Sequence, residues 1–148
     1  MDYSRQELVI GKKAQKQLEK SKVAIIGVGA LGSLSSELLV RSGVKKLILF
    51  DNDFIEMSNL QRQHLYKLDD VNKPKVKVAK RYLKEVNPNV SIKEYFMSLT
   101  ANNIKKLNKV DLILDCTDNM QTRFLLNDFC VKNKINCVFA PAIQEKGY

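Results

Sequence analysis

Cysteines are few in this sequence, and their arrangement argues against two kinds of site. The 148 residues include three cysteines, Cys116, Cys130 and Cys137. An odd number without a C-x-x-C pair indicates neither a disulfide framework nor a zinc site. Because each lies in an apolar stretch, we expect reduced core residues and no zinc in this chain.

Long apolar runs are also absent. No stretch approaches the ~20 apolar residues of a transmembrane helix, and residues 1–7 are too polar for a signal peptide. We therefore expect a cytoplasmic protein that has no membrane partner. Repeats, linkers and low-complexity segments are missing too, and 148 residues of 45% hydrophobic composition suit a single domain, residues 1–148.

Acidic residues are in the minority. The chain has 25 Lys and Arg against 16 Asp and Glu, a formal charge of +9. This charge suits an anionic nucleotide, an acidic protein or a nucleic acid. The lysines are spread along the chain without a nucleic-acid-binding motif or interleaved aromatic residues, so we expect a solvated basic surface and no nucleic-acid partner.

The sequence does contain a glycine-rich turn at residues 27–32, Gly-Val-Gly-Ala-Leu-Gly. Residues 23–26 before it are apolar and suit a strand buried on both faces. Leu31, Leu34 and Leu38 then follow the spacing of a helix stripe. Glycines between a strand and a helix let backbone N–H groups approach a phosphate, so the pattern predicts a phosphate-binding turn.

Asp51 supports this interpretation. It closes the next apolar run, 19 residues after Gly32, where folds of this kind bind a ribose hydroxyl. The structural alternative is a tight strand-to-helix turn followed by an ordinary strand-end aspartate. Because both the strand and the helix that the motif requires are present, we favour nucleotide binding.

Strand and helix patterns alternate along the chain. Ser4 and Glu7 have the spacing of a capping box, and Gly11 ends the short helix that they begin, ahead of a second helical stretch. Further strands are predicted at 46–51, 90–96, 110–116 and 136–140, and further helices at 75–86, 100–108 and 119–132. The alternation predicts an α/β fold, a doubly wound, mostly parallel Rossmann-like sheet flanked by helices, with short N-terminal helices.

Three segments converge in such a sheet. Ligands bind beyond the carboxyl ends of the strands where the strand order reverses, and the first and fourth strands are expected to lie together there. The glycine turn, Asp51 and residues 115–119 all follow strands that end at this edge. The connection at 52–74 is much longer than the usual ~2–6 residues, which points to a functional loop.

Six motifs occur in order along the chain. They are Tyr-Ser-Arg-Gln at 3–6, the glycine turn at 27–32, Asp-Asn-Asp at 51–53, Ser-Asn-Leu-Gln-Arg-Gln at 58–63, Pro-Lys at 74–75 and Asp-Cys-Thr-Asp-Asn at 115–119. Together they resemble the ThiF/MoeB/HesA family, relatives of ubiquitin-activating enzymes, over nearly the whole chain. The resemblance implies an adenylyltransferase that uses ATP and Mg²⁺ to activate the C-terminal glycine of a ubiquitin-like sulfur-carrier protein of molybdopterin or thiamine biosynthesis.

The resemblance also implies which residues bind the nucleotide. Asp51 would take the ribose hydroxyls, and Asn59 would lie against the triphosphate. The full set of implied nucleotide-binding residues is Gly27, Gly29, Ala30, Gly32, Asp51, Asp53, Ser58, Asn59, Leu60, Gln61, Arg62, Lys75, Asp118 and Asn119.

Four residues are implied in catalysis. Arg62 would act on the triphosphate across a homodimer interface, Arg5 and Lys75 would add positive charge, and Asp118 would hold Mg²⁺ or orient the reacting groups. The chemistry agrees with these residue types, because a carboxylate that attacks a phosphate brings two anions together and needs cations and positioning.

Some of these residues have structural alternatives. Asp118 precedes a predicted helix and has Gln121 three positions on, so it is a helix cap, a magnesium ligand or both. Arg62 is otherwise a surface arginine in a polar loop. His64, the only histidine, is interpreted as exposed or structural.

Two other functions are considered. An NAD-dependent dehydrogenase domain shares the glycines and Asp51 but leaves 58–63 and 115–119 unexplained. A nucleotide-binding or dimerisation module without catalysis is the third hypothesis. In the resembling family the thiol-forming cysteine, the zinc-binding pairs and the carrier-docking strands come after the point that corresponds to residue 148, so we expect a truncated product or a fragment.

Overall fold

The computed structural model describes residues 1–139, 142, 143, 146 and 147, which build an α/β fold around a parallel sheet. Its strands are β1 (Lys22–Ile26), β2 (Lys46–Asp51), β3 (Ser91–Phe96), β4 (Leu112–Asp115) and β5 (Asn136–Phe139). Its helices are α1 (Ser4–Lys20), α2 (Ala30–Ser42), α3 (Lys75–Val86) and α4 (Met120–Asn133). Short 3₁₀ turns occur at Met57–Asn59, Leu68–Asp70 and Ile104–Leu107.

The sheet has the strand order β3-β2-β1-β4-β5, and every pairing is parallel. Its winding reverses between β1 and β4, which are neighbours. The register places Ile26 of β1 opposite both Phe50 of β2 and Asp115 of β4, so the three strands end at the same level. This confirms the predicted doubly wound sheet and the adjacency of its first and fourth strands.

Alternate residues of the central strands enter two cores, one on each face of the sheet. Ile25 and Leu49 pack in the core that contains buried residues of α2 and α3. Ile48 and Phe50 point to the other face, where Leu126 of α4 is also buried. Helices on both faces explain why these strands are apolar without the polar alternation of a half-exposed sheet.

Helix α1 has a kink, and its N-terminus is not capped as predicted. Gly11 has φ +80° and ψ 155°, and it divides α1 into two segments as predicted. The predicted capping box of Ser4 is wrong. Tyr3 occupies the N-cap position without a side-chain hydrogen bond. Asp2, two residues before Ser4, binds the Ser4 N–H instead, because its Oδ1 accepts from that N–H at 2.9 Å.

Two elements predicted between residues 100 and 116 are shorter in the structure. The strand predicted at 110–116 is reduced to β4, because Val110 is buried in the connection before it and imitates a strand residue. The helix predicted at 100–108 is only the 3₁₀ turn at Ile104–Leu107, and the Thr100 N–H donates to Asn103 instead of Thr100 serving as a cap.

The last elements lie beyond β5. Ala140, predicted to end the last strand, lies outside the described residues. Ala142–Ile143 and Lys146–Gly147 pair as a two-stranded antiparallel sheet. Sequence patterns did not predict this pair, because strands of two residues carry no detectable period. Among the described residues, none of the helices is long and apolar enough to span a bilayer.

Candidate nucleotide-binding site

A cavity of about 1020 Å³ lies where β1, β2 and β4 end. Its size is in the range of ligand-binding clefts. Of the residues implied by the family resemblance, those that line it are Gly27, Gly29, Ala30, Asp51, Asp53, Asn59, Arg62, Lys75, Asp118 and Asn119. The implied residues outside the lining are Arg5, Gly32, Ser58, Leu60 and Gln61.

The glycine turn is shaped by close backbone contacts. Gly27 has φ +86°, and a Cβ there would lie 2.9 Å from the carbonyl oxygen of Cys116. A Cβ on Gly32 would lie 1.9 Å from the carbonyl oxygen of Gly27. Gly32 therefore supports the site by allowing α2 to pack against the turn, although it does not line the cavity. The two glycines explain why the turn can bring the ends of β1 and β4 together.

Asp51 ends β2 with both carboxylate oxygens already engaged. Oδ2 accepts from the Val28 N–H at 2.7 Å and Oδ1 from the Asp53 N–H at 2.8 Å. Burial raises the pKa of the Asp51 carboxyl, although these two bonds and the charge of Lys75 act in the opposite direction. The side chain is held rigidly beside the glycine turn, and each oxygen has a further lone pair for a ligand hydroxyl.

Lys75 and Asp53 form an ion pair inside the lining. Nζ of Lys75 lies 2.8 Å from Oδ2 of Asp53, and the Lys75 N–H donates to the Asp53 carbonyl at 3.0 Å. The lysine side chain is 7% exposed and the aspartate side chain 59%. Asp53 therefore fixes Lys75 at the start of α3 and offsets part of the positive charge that Lys75 brings to the cavity.

The loop after β2 presents Asn59 and Arg62. Oδ1 of Asn59 accepts from the Glu56 N–H at 3.2 Å, which fixes the 3₁₀ turn. Nη1 of Arg62 donates to the Ser58 carbonyl at 2.8 Å, and Arg62 lines the cavity of its own chain. Ser58 points to Glu56 through a 3.1 Å hydrogen bond, which explains its position outside the lining.

Asp118 does not cap α4. The N-cap residue is Asn119, whose Oδ1 accepts from the Thr122 N–H at 3.1 Å. The interpretation of Asp118 as a helix cap is therefore wrong, because Asn119 occupies the only N-cap position of this helix. Asp118 is exposed at the cavity, and its carboxylate is available to a ligand.

Arg123 is a lining residue that the motifs did not reveal. Its Nε donates to Oδ2 of the buried Asp115 at 3.1 Å, and its Nη2 donates to the Thr117 carbonyl at 3.1 Å. Thr117 completes the group, because its N–H and its hydroxyl both donate to Oδ1 of Asp115. The available signal was the position of Arg123 four residues after Asn119, in the first turn of the helix that enters the site.

The segment after β3 forms a second part of the cavity lining that the sequence motifs did not predict. Met97, Ser98 and Leu99, which follow β3, line the cavity together with Phe54. The ring of Phe54 meets Phe96 edge-on at a centroid distance of 5.0 Å. The topology offered a signal for these residues, because a strand paired in parallel with β2 must end near Asp51.

His64 has a structural partner outside the cavity lining. Its Nε2 lies 2.6 Å from Oε2 of Glu37, which also pairs with Arg41 one helical turn along α2. Burial works to raise the pKa of the Glu37 carboxyl, but the hydrogen bonds from Arg41 and His64 outweigh it and hold the pKa below its ordinary value. His64 is thus exposed and paired with Glu37, which fits its interpretation as exposed or structural.

The three cysteines are free thiols. Burial raises the pKa of Cys116 to about 11 and that of Cys137 to about 12. Burial also raises the pKa of Cys130. Because the thiolate is the reactive form, these groups are poor nucleophiles near neutral pH, which agrees with the prediction of reduced core residues.

The chain matches the ThiF family over residues 3–148. It belongs to that family. It is 43% identical to the sulfur carrier protein ThiS adenylyltransferase of Bacillus subtilis (strain 168), over 98% of this chain and 45% of that protein. The Escherichia coli (strain K12) protein of the same name is 38% identical, over 97% of this chain and 58% of that protein.

Solved structures agree with this assignment. The structure of E. coli MccB with ATP has a TM-score of 0.89 and 30% identity, over 99% of this chain and 47% of the MccB chain. The predicted family and fold are therefore confirmed. The ThiF-family chain described here spans about half the length of the curated relatives it matches.

Proposed function

We propose that this ThiF-family domain binds ATP with Mg²⁺ and adenylates the C-terminal glycine of a small ubiquitin-like sulfur carrier. Both bacterial relatives are named adenylyltransferases of the sulfur carrier ThiS, and MccB was solved with ATP. The observation that carries the proposal is the meeting of the glycine turn, Asp51 and Asp118 in one cavity.

The proposed reaction joins two anions. A carboxylate oxygen of the carrier attacks the α-phosphorus, the bond from that phosphorus to the bridging oxygen breaks, and pyrophosphate leaves with the bonding electrons. No proton is transferred in this step, so the residues contribute positioning and positive charge. The product is an acyl-adenylate on the carrier.

Positive charge is unevenly available in the described lining. Lys75 is paired with Asp53, and Arg123 is paired with Asp115. Arg62 bonds only to a backbone carbonyl in the described part of the chain, so its guanidinium is the lining cation most available to the triphosphate. An arginine directed at a transferring phosphoryl group is worth about 10³–10⁵ in rate.

Asp118 fits a Mg²⁺ site. Mg²⁺ is usually held by one or two carboxylates together with substrate phosphates and waters, so a single exposed carboxylate beside a phosphate turn is sufficient. When bound, the ion would neutralise phosphate charge. Asp118, which follows β4 and lines the cavity, would hold it there.

The base and ribose have their own surfaces. Asp51 would accept hydrogen bonds from the ribose hydroxyls at the end of β2. Phe54, Met97 and Leu99 offer an apolar wall for the base on the side of β3. With the base and ribose bound there, the phosphates would extend towards the N-terminus of α2, where the backbone N–H groups and the helix dipole favour anions.

We also propose a homodimer. Leu8 and Val9 of α1 are 87% and 85% exposed, and Leu34 and Leu38 of α2 are 49% and 56% exposed. The two helices are joined by a 2.9 Å bond from Gln6 to the Ser42 carbonyl. Exposed apolar side chains on two helices that contact each other suit a protein interface, so we expect a mass of twice 16.9 kDa by light scattering.

Two measurements test the adenylation proposal. Calorimetric titration should give binding of ATP·Mg²⁺ and much weaker binding of NAD, and preference for NAD would contradict it. Pyrophosphate exchange into ATP should then depend on a carrier that ends in Gly-Gly. The B. subtilis relative serves as the positive control, and exchange by that protein but not by this chain with every carrier tried would favour a binding module.

A further inference from the structure

Gln63 is buried at the cavity with an unpaired polar atom. It is 4% exposed and lines the cavity, and its Oε1 has no hydrogen-bond partner among the described residues. An unpaired buried acceptor destabilises a fold, so an apolar side chain of the same length would suit the folded protein at least as well. Folding alone therefore does not explain an amide at this position. Because Oε1 only accepts hydrogen bonds, a bound anion would contact the donor at the other end of the amide, Nε2.

The backbone around Gln63 is fixed against the glycine turn. Its N–H donates to the Asn59 carbonyl at 3.0 Å, and its carbonyl accepts from the Tyr66 N–H at 3.2 Å. The buried Tyr66 hydroxyl donates to the Val28 carbonyl at 2.6 Å. This loop is thus attached to the turn itself, and Gln63 has little freedom to move away from it.

The amide nitrogen of Gln63 faces the start of α2. A Cβ built on Gly29 would lie 3.8 Å from Nε2, so Nε2 lies over the residue at the N-cap of this helix. Gly29 provides no side chain to accept from the first-turn N–H groups. The side-chain donor Nε2 therefore lies beside the backbone N–H groups at the N-terminus of α2. Such a group of donors suits an oxyanion.

We propose that Gln63 binds a phosphate group of the nucleotide, with Nε2 donating to an oxygen of the phosphate held at the N-terminus of α2. The proposal rests on the proposed function for the identity of the ligand. A neutral amide is suited to this place, because it donates to the anion, whereas a carboxylate of the same shape has no donor and repels it. Gln63 would thus add a donor to a lining in which Lys75 and Arg123 are already paired.

The test uses the full-length chain and compares substitutions at two buried glutamines, Gln15 and Gln63. Gln15 is fully buried but satisfied, because Oε1 accepts from Gln6 at 2.7 Å and Nε2 donates to the Ser42 carbonyl at 3.1 Å. Gln15→Met should lower the urea midpoint of unfolding and leave the affinity of the folded protein for ATP·Mg²⁺ unchanged. Gln63→Met should keep or raise the midpoint and weaken ATP·Mg²⁺ binding about tenfold or more, as expected for loss of a hydrogen bond to a charged group.

Further probes identify the ligand group. Adenosine should bind wild type and Gln63→Met equally, whereas ADP and inorganic pyrophosphate should lose affinity in the variant. Gln63→Glu should bind ATP·Mg²⁺ more weakly than Gln63→Met, because it puts a negative charge beside the phosphate. Wild-type affinity in Gln63→Glu would overturn the assignment and indicate an Oε1 that accepts from a ribose hydroxyl.

The two proposals fail in different ways. Unchanged phosphate affinity in Gln63→Met, or a lower unfolding midpoint as the only effect, would overturn the role of Gln63. Loss of phosphate affinity in that variant, together with no carrier-dependent exchange in the wild type, would support Gln63 and overturn adenylation.

Discussion

Arg123 links the buried Asp115 to the backbone of the loop that carries Asp118. Its Nε donates to Oδ2 of Asp115 at 3.1 Å, and its Nη2 donates to the Thr117 carbonyl at 3.1 Å. Asp115 has no exposed surface and its Oδ1 is occupied by Thr117. The buried carboxylate of Asp115 therefore fixes the conformation of residues 115–118 through these hydrogen bonds.

Arg123→Ala should destabilise the fold by about 3 kcal/mol, because it leaves a buried carboxylate without its cation. The value is at the lower end of the range for a broken buried pair, since the Arg123 side chain is 20% exposed. Arg123→Lys should recover only part of the loss, because an ammonium group cannot bond both oxygens in the same plane. Urea unfolding measures both, and equal stability of wild type and Arg123→Ala would contradict the role of the pair.

Gly27→Ala should destabilise more than Gly11→Ala. Both positions have φ near +80°, at +86° and +80°, so both variants bear the backbone strain of a positive φ, roughly 1–3 kcal/mol. Only Gly27 also faces a backbone oxygen, at 2.9 Å from its Cβ position, whereas Gly11 has open space. The urea midpoints of the two variants are compared, and equal losses would show that the turn can relax around the added Cβ.

Substitutions can separate the roles of Asn119, the N-cap of α4, and Asp118. Asn119→Ala should cost about 0.5–2 kcal/mol, the value of a lost N-cap, whereas Asp118→Ala should leave stability within about 0.5 kcal/mol. Asp118→Asn should be as stable as wild type and should lose Mg²⁺-dependent ATP affinity, because an amide lacks the charge that a hard cation favours. Calorimetry with Mg²⁺ and with EDTA checks this, and unchanged Mg²⁺ dependence would remove Asp118 as a ligand.

The fold was predictable because local patterns and topology agree. Strands such as β1 and β2 are buried on both faces, so their apolar runs are unambiguous, and the glycines mark the turn between β1 and α2. The ends of the elements were less predictable. Val110 is buried without being in a strand, and Thr100 has a capping side chain without capping, since burial and capping depend on neighbours that periodicity does not describe.

The site was predictable only in part for a similar reason. Asp118 and Asn119 are both good cap formers, so their order alone could not decide which one caps α4. Lys75 pairs with Asp53, which is distant in the sequence. Arg123, in the first turn of α4, pairs with Asp115 at the end of β4. Such pairs set the charge available to a ligand, and they follow from tertiary packing.

Asp70 should control acid stability. Its buried carboxylate accepts from Arg81 at 2.7 Å and from the Lys67 N–H at 3.2 Å. Burial works to raise the pKa of Asp70, but these bonds and Lys73 outweigh it, and the pKa lies below its ordinary value. Because the folded pKa is lower than the unfolded one, this stability is present above the unfolded pKa and is lost as pH falls through the folded pKa.

Asp70→Asn should therefore lower the urea midpoint at neutral pH and flatten its decline between about pH 5 and pH 2. Asp69→Asn, a change at the exposed neighbouring carboxylate, is the matched control and should leave the decline unchanged. The same slope in wild type and Asp70→Asn would show that other carboxylates control acid unfolding.

Arg5 and Arg62 stand in different positions relative to the cavity, and mixed dimers can separate their roles. The family resemblance placed Arg62 across a homodimer interface, but Arg62 lines the cavity of its own chain, whereas Arg5 lies outside it beside the exposed Leu8 and Val9. We therefore expect Arg62 to act in its own subunit and Arg5 to reach the partner's site.

An equal mixture of Arg5→Ala and Asp118→Ala should then regain about a quarter of the tight ATP·Mg²⁺ sites, because half of the dimers are hybrids and each hybrid has one complete site. A mixture of Arg62→Ala and Asp118→Ala should regain none, since both sites of its hybrids lack a residue. Calorimetry counts the sites, and native mass spectrometry confirms the hybrids. Recovery in the second mixture instead of the first would return Arg62 to the interface, and recovery in neither would leave Arg5 without a role in nucleotide binding.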